Sequence, residues 1–137
     1  MKHLRSTVQH TLFPAHDAHR MTAAARALTE HVHLIGKAPS EPGVVWHATD
    51  AETAGQLLRS MGSVVEARIE FPLLELPPVV VVVADWDLVA EHGLPLSGLL
   101  KRGRAVGVHV YATDQPGRWM PVHLLEHFAA LPLPVSA

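Results

Sequence analysis

The sequence contains no cysteine, which excludes disulfide bonds, thiolate-bound zinc and cysteine nucleophiles. This absence fits a reducing compartment, and we expect a cytoplasmic protein. The basic start, Met1 to Arg5, is not followed by an apolar stretch, so no signal peptide is predicted. The longest apolar run, Pro77 to Ala84, is far too short to span a bilayer. No membrane association is therefore expected.

Charge of one sign is also scarce, because 11 basic and 13 acidic residues give a formal net charge of -2. DNA contact would therefore need a local basic cluster. The 137 residues are one domain's worth and can bury a core without a structural metal. We predict an N-terminal arm over residues 1–16, either loose or forming a short strand. A single domain over residues 17–137 follows it.

Apolar periodicity predicts alternating helices and strands. Steps of three and four predict a helix from Asp17 to Ile35, and the capping-box spacing of Thr49 and Glu52 opens a second helix from Asp50 to Ile69. The other predicted elements are a short helix ended by Gly107, a last helix over Pro121 to Ala130, and strands at Val44–Trp46, Val79–Val83, Val108–Ala112 and Leu131–Val135. This alternation predicts an α/β fold with a short, mostly parallel sheet flanked by helices.

Four segments resemble parts of the motor domain of the FtsK/SpoIIIE DNA translocases. Val79 to Asp87 is similar to the family's apolar Walker B strand, which ends in Asp-Glu. Leu99 to Val110 is similar to a helix that runs into Gly-Arg-Ala-Ala-Gly-Ile-His, and Ala112 to Pro116 is similar to a strand ending in Ala-Thr-Gln-Arg-Pro. Upstream, Val44 to Asp50 is similar to the family's Val-Val-Thr-Asp before a long helix.

The resemblance covers roughly Val44 to Leu133 and implies a truncated P-loop NTPase-like fold. It also implies that Asp85, Thr113 and Gln115 occupy positions like those of a nucleotide site.

The phosphate loop of that family, Gly-x4-Gly-Lys-Ser/Thr, is absent. The chain's single Gly-Lys pair is Gly36-Lys37, with His31 where the first glycine should be and Pro39 where a helix should begin. The residue after the Walker B aspartate is Trp86, where the family has the glutamate that positions the attacking water. We therefore expect a catalytically inactive module that binds a protein partner, DNA or a second copy of itself. Neither ATP nor another cofactor is expected.

Carboxylates at the strand ends support an alternative function. Asp85 and Asp87 follow the valine strand, and Asp114 follows the next strand. The carboxyl ends of parallel strands line the ligand crevice of an open sheet, and three carboxylates there could hold Mg²⁺ for a metal-dependent nuclease or phosphoesterase. Aspartate is also common after strands as a turn residue, so both interpretations stay open.

His123 and His127 enclose an H-x-x-E-H pattern, which in one class of zinc protease places two ligands on a helix face. A third ligand would have to come from the few residues that remain. The chain has 11 histidines, so such spacing arises easily by chance. The pair is a candidate for incidental metal binding rather than for catalysis.

One dense basic cluster, formed by Lys101, Arg102 and Arg104, lies close in sequence to the crevice aspartates. It could contact phosphates, or it could be a solvated face that complements a helix C-terminus. Further along, Arg118 and Trp119 could stack on a base or anchor a partner, although a core tryptophan fits equally well. A small nucleic-acid-binding accessory protein is therefore a second alternative.

Overall fold

A computed structural model of the chain describes residues 9–14, 18–39, 41–72, 75–114, 124 and 126–130. Within them the strands are β1 (Thr11–Phe13), β2 (His31–Ile35), β3 (Trp46–Ala48), β4 (Val79–Val83), β5 (Val108–Thr113) and β6 (Ala129–Ala130). The α-helices are α1 (Ala18–Leu28), α2 (Ala51–Glu70) and α3 (Gly93–Arg102), with short 3-10 helices at Trp86–His92 and Arg104–Val106.

The described strands form one sheet in the order β3-β2-β4-β5-β1-β6, and every pairing in it is parallel. The chain moves one way across the sheet from β1 to β2 and the opposite way from β3 to β4 and on to β5. Right-handed crossovers therefore place α1 on one face and α2 with α3 on the other. The α/β fold with a parallel sheet flanked by helices is confirmed.

The five valines of β4 lie at the centre of the sheet, between β2 and β5. Val80 and Val82 pack in the cluster beneath α1, and the alternate valines pack in the cluster beneath α2 and α3. All five are buried. An unbroken apolar run is what a strand covered on both faces requires, so the prediction for Val79–Val83 is confirmed.

The long helix α2 begins one residue later than the capping box predicts. Its N-cap is Asp50, whose Oδ1 accepts a hydrogen bond from the backbone N–H of Thr53 at 2.7 Å. Asp50 thus takes the cap position expected for Thr49, because aspartate satisfies a free amide of the first turn equally well.

The prediction of one helix from Asp17 to Ile35 is wrong. The helix ends at Leu28, and the last five residues of that span form β2. Val32 and Ile35 continue the apolar spacing of the helix, but they are buried because they lie in a strand paired to β3 and β4. A strand buried on both faces lacks the alternation that distinguishes it from a helix.

Two further boundaries differ from the predictions. The strand expected at Val44–Trp46 lies two residues later, as β3, and Val45 is 64% exposed rather than buried. The last helix expected over Pro121–Ala130 is wrong at its end, because Ala129–Ala130 form β6 beside β1. The strand expected at Leu131–Val135 lies outside the described residues.

The N-terminal segment contributes to the sheet. Of the two expectations for residues 1–16, a loose arm or a short strand, the described part shows a strand, because β1 pairs with β5 and β6. The division into an arm and a domain at residue 16 stays a prediction.

Candidate functional site

The aspartates predicted to line a crevice follow strands at the carboxyl edge of the sheet. The strands β4 and β5 are adjacent and parallel, with Val83 opposite Ala112 at their carboxyl ends. Asp85 and Asp114 therefore follow their strands at the same edge. Since β2 and β4 continue in opposite directions across the sheet, as do β1 and β5, this edge also contains the switch points where open α/β sheets bind ligands.

Asp85 connects the end of β4 to the loop after β2. Its Oδ2 accepts a hydrogen bond from the backbone N–H of Lys37 at 2.9 Å. The preceding Gly36 lies so close to β4 that a Cβ on it would be 3.0 Å from the Ala84 Cβ. The carbonyl of Gly36 also interacts with Nε2 of His47, 2.9 Å away. The Walker B-like carboxylate thus fixes a neighbouring loop.

Trp86 stands where the FtsK-like pattern has its glutamate, and its side chain points into the core. Only 1% of it is exposed, and its ring lies edge-on to Phe128 with the centroids 6.1 Å apart. Its Nε1–H donates to the carbonyl of Thr113 at 2.7 Å. The indole therefore joins the end of β4 to the end of β5, and an apolar ring cannot act as the general base that the glutamate supplies.

Of the three positions compared with a nucleotide site, two are described. Asp85 bonds the Lys37 amide, and Thr113 is buried with its carbonyl bonded to Trp86. Gln115 lies outside the described residues, as do Arg118, Trp119 and His123.

The arrangement does not assemble the metal site suggested by the sequence. No three histidine, aspartate or glutamate side chains in the described part of the chain are placed to hold one metal ion. Asp85, Asp87 and Asp114 all belong to that part, so they do not form a three-carboxylate group. His127 is described as well, in the turn before β6.

In this topology a phosphate loop would follow β1 rather than β2. The strand–loop–helix unit at the β1/β5 switch point is β1 followed by α1, and this arrangement positions a phosphate at a helix N-terminus. Only Pro14-Ala15-His16-Asp17 separates the two elements in sequence. Gly36-Lys37, the chain's single Gly-Lys pair, instead follows β2 and leads into β3 rather than into a helix.

The basic cluster lies at the opposite edge of the sheet from the aspartates. Lys101, Arg102 and Arg104 come before β5, whereas Asp114 comes after it. The six residues of β5 separate the two ends by roughly 20 Å. Although these cations are close to the aspartates in sequence, they are therefore not close to them in space. All three cations are exposed, and Arg102 pairs with Glu66 of α2.

Two buried histidines at this amino edge were not indicated by the sequence. His10 precedes β1 and is 1% exposed, and His109 lies in β5 and is 3% exposed. Burial, more than any other cause, lowers the pKa of each to about 4. Only the topology brings them together, since 98 positions (109 − 10 − 1) lie between them in the sequence.

None of the helices in the described residues is long and apolar enough to cross a bilayer.

Known proteins of solved structure share this architecture. No protein-family model matches the sequence, and no curated protein matches it either. Three solved structures are similar in fold. EccC of Thermomonospora curvata (ATPases 2 and 3, in complex with a signal sequence peptide) has a TM-score of 0.52 and 17% identity, covering 78% of this chain and 25% of that one.

The cytoplasmic domain of the type VII secretion ATPase EccC of Thermomonospora curvata has a TM-score of 0.53 and 19% identity, covering 78% of this chain and 16% of that one. The cytoplasmic domain of EssC has a TM-score of 0.52 and 16% identity, covering 76% and 26%. The chain thus spans about a quarter or less of these proteins. At such identities the likeness concerns the fold alone: the chain folds as these domains do, with a parallel sheet flanked by helices.

Proposed function

We propose that this chain is a catalytically inactive module of the FtsK/SpoIIIE-like ATPase fold that acts by associating with a protein partner. The observation that carries this proposal is Trp86. In the position of the expected glutamate, its indole is buried and bonded to the carbonyl of Thr113. A site that positions a water for attack on a phosphate needs a carboxylate or amide facing the ligand.

The connection from β1 to α1 supports the same proposal. A phosphate loop presents several backbone N–H groups from glycines, together with a lysine. The residues between Phe13 and Ala18 include one proline, whose nitrogen has no hydrogen, and neither glycine nor lysine. This stretch thus contains neither the glycines nor the lysine of a phosphate loop.

A domain of this fold without a working nucleotide site can act by associating with another molecule. The structurally similar proteins include EccC, described as a type VII secretion ATPase with several ATPase domains. This chain spans about a quarter or less of each similar protein, so domains of this fold function there as parts of a larger chain. This favours a protein partner or a second copy. The exposed cluster Lys101, Arg102 and Arg104 makes DNA the competing partner.

Isothermal titration with Mg-ATP and with Mg-ADP tests the inactive part of the proposal. We expect no saturable heat at millimolar nucleotide, either for the native chain or for Asp85→Asn, which serves as the matched control. A micromolar dissociation constant that Asp85→Asn weakens would overturn the proposal, because it would place a working nucleotide site at the carboxyl edge.

Duplex DNA titrations separate the two kinds of partner. If Lys101, Arg102 and Arg104 contact three phosphates, the logarithm of the binding constant should fall with the logarithm of salt concentration with a slope of about −2.7. Replacing the three residues with glutamine should then abolish binding. We expect no measurable binding at low salt, together with concentration-dependent mass in light scattering if the partner is a second copy.

A further inference from the structure

The imidazole of His10 joins three elements at the amino edge of the sheet. It lies directly before β1 and is almost fully buried. Its Nδ1 accepts a hydrogen bond from the backbone N–H of Val110 in β5 at 2.9 Å. Its Nε2 lies 2.8 Å from the carbonyl oxygen of Leu100 in α3. The side chain thereby extends the β1–β5 pairing beyond Thr11, where the backbone ladder begins.

These two bonds determine the protonation state of the ring. A backbone N–H can only donate, so Nδ1 must carry a lone pair, and a carbonyl can only accept, so Nε2 must carry the hydrogen. A second proton would have to enter at Nδ1, where it would point at the N–H of Val110. The neutral form fits the site, whereas the charged form must break the bond to β5.

The groups that face His10 also oppose a positive charge. They are His109 of β5, whose ring centroid is 6.2 Å away, Arg104 from the turn before β5, and His127 from the turn before β6. Arg68 of α2 acts on His109 in the same sense. Each of these groups is either a histidine or an arginine cation. None is a carboxylate that would stabilise an imidazolium.

The strand that His10 precedes is also the one least firmly held among those flanked on both sides. β1 has three residues, paired with three of β5 and two of β6. β4, by contrast, pairs over five residues with both β2 and β5. Loss of the bond between His10 and Val110 would therefore weaken β1 before it weakens the centre of the sheet.

We propose that His10 is a proton-sensitive latch, a side chain whose protonation state controls the pairing of β1. Neutral His10 holds β1 against β5 and α3. Protonated His10 releases β1, while β2, β4 and β5 stay paired. Release would uncover the edge of β5, whose unpaired N–H and C=O groups could then pair with another strand. The latch does not depend on the proposed function, because its hydrogen bonds involve neither Asp85 nor Trp86. The ring of Phe128 lies between the two places, 6.0 Å from His10 and 6.1 Å from Trp86.

Amide hydrogen exchange of the native chain, measured residue by residue between pH 7.5 and pH 5 and corrected for intrinsic rates, tests this proposal. The pKa of His10 is lowered by burial from 6.5 to about 4, so an open state with an ordinary pKa should become about thirtyfold more populated over this range. We expect the amides of β1 to lose protection by about that factor. The globally unfolded chain also frees His10, so the protection of β4 should fall in the same direction, but the amides of β4 should open at a higher free energy and with a steeper urea dependence than those of β1.

Two variants complete the test. His10→Asn keeps an acceptor for Val110 but does not titrate, and it should flatten the pH dependence of β1 exchange. His19→Asn removes a largely exposed histidine of α1 that bonds Glu41 and should leave the thirtyfold change intact. Equal opening free energies and urea dependences for the amides of β1 and β4 in the native chain, or an unchanged pH response in His10→Asn, would overturn the latch. If His10→Asn does not fold, the native exchange pattern alone decides.

Discussion

The two edges of the sheet use polar side chains in different ways. At the carboxyl edge, Asp85 and Trp86 hydrogen-bond to the backbone of neighbouring strand ends and hold the sheet together. At the amino edge, His10 and His109 are buried beside cationic groups, and burial lowers the pKa of each to about 4. The residues that resemble a catalytic motif thus bond to the backbone, and the two histidines whose pKa is lowered to about 4 lie nearer the other edge.

The ATPase-like sequence motif and the two strongly shifted histidines thus lie in different places. Perturbed pKa values often mark functional positions, but buried structural groups have them too. The carboxyl edge has the sequence pattern of an ATPase without its donors and base. The amino edge has two strongly shifted histidines without any such pattern. Mutations and pH should therefore affect the two edges differently.

Removal of the Trp86 indole should have the largest effect. Trp86→Ala deletes a large, fully buried side chain together with its hydrogen bond to the Thr113 carbonyl, so we expect the free energy of unfolding to fall by ~3–5 kcal/mol. Urea denaturation measures this loss. Trp86→Phe, which keeps much of the packing but not the donor, should cost ~1–3 kcal/mol. A loss below ~1 kcal/mol for Trp86→Ala would show that the indole is not a structural element.

Acid should destabilise the fold through the amino edge. The folded pKa of His10 is below the unfolded value, so the unfolded chain binds more protons as pH falls. The stability due to neutral His10 is complete above pH 6.5 and is lost between pH 6.5 and about pH 4. Between pH 7.5 and pH 5 the contribution of His10 to the free energy of unfolding should fall by about 2 kcal/mol. His109, whose pKa burial also lowers to about 4, should add to the loss. Urea unfolding at both pH values checks this, and His10→Asn should show a smaller difference. Equal stability at both would contradict the assignment.

Loss of the Asp85 carboxylate should have a moderate and purely structural effect. Asp85→Ala removes the acceptor for the Lys37 amide and should cost about 1 kcal/mol, as a typical hydrogen bond does. Asp85→Asn should cost less, because its amide oxygen can still accept. Chemical denaturation at pH 7.5 distinguishes the two variants. An increase in stability for Asp85→Ala would instead indicate a strained carboxylate of the kind found in ligand sites.

Arg104→Gln should give the smallest effect. Arg104 is exposed, and its charge is one of the lesser causes that lower the pKa of His10 and His109. Its removal should reduce the acid destabilisation by roughly 0.3–0.5 kcal/mol, in the range of exposed charge pairs. Arg59→Gln, an exposed site on α2, is the matched control and should leave the pH dependence unchanged. An identical pH dependence of stability in the two variants would show that the charge of Arg104 does not affect the two histidines.

The central part of the fold could be predicted from the sequence because its signals are local. The valine run of β4 is buried on both faces, and α2 has a clear apolar stripe over twenty residues. The limits of β2 could not be predicted, because Val32 and Ile35 satisfy the helical spacing of the preceding residues by coincidence. Its pairing with β4 is a tertiary contact that periodicity does not encode.

The candidate site could be predicted only in part. The alternation of elements predicted parallel strands but left open whether the ends of β4 and β5 are neighbours, and the structure shows that they are. That Trp86 points into the core could not be read from its neighbours, because a tryptophan after a strand is as compatible with a surface as with a core. The His10 and His109 pair required the position of β1 in the sheet, which no local pattern gives.

The indole N–H resonances of the three tryptophans, followed during titration with Mg-ATP, test the central claim most directly. Trp86→Phe assigns the resonance of Trp86. We predict that its Nε1–H exchanges slowly with solvent and does not shift at millimolar nucleotide, because it is bonded to Thr113 inside the core. Rapid exchange, or a saturable shift with a micromolar midpoint, would show that the carboxyl edge is an open nucleotide site and would contradict the account.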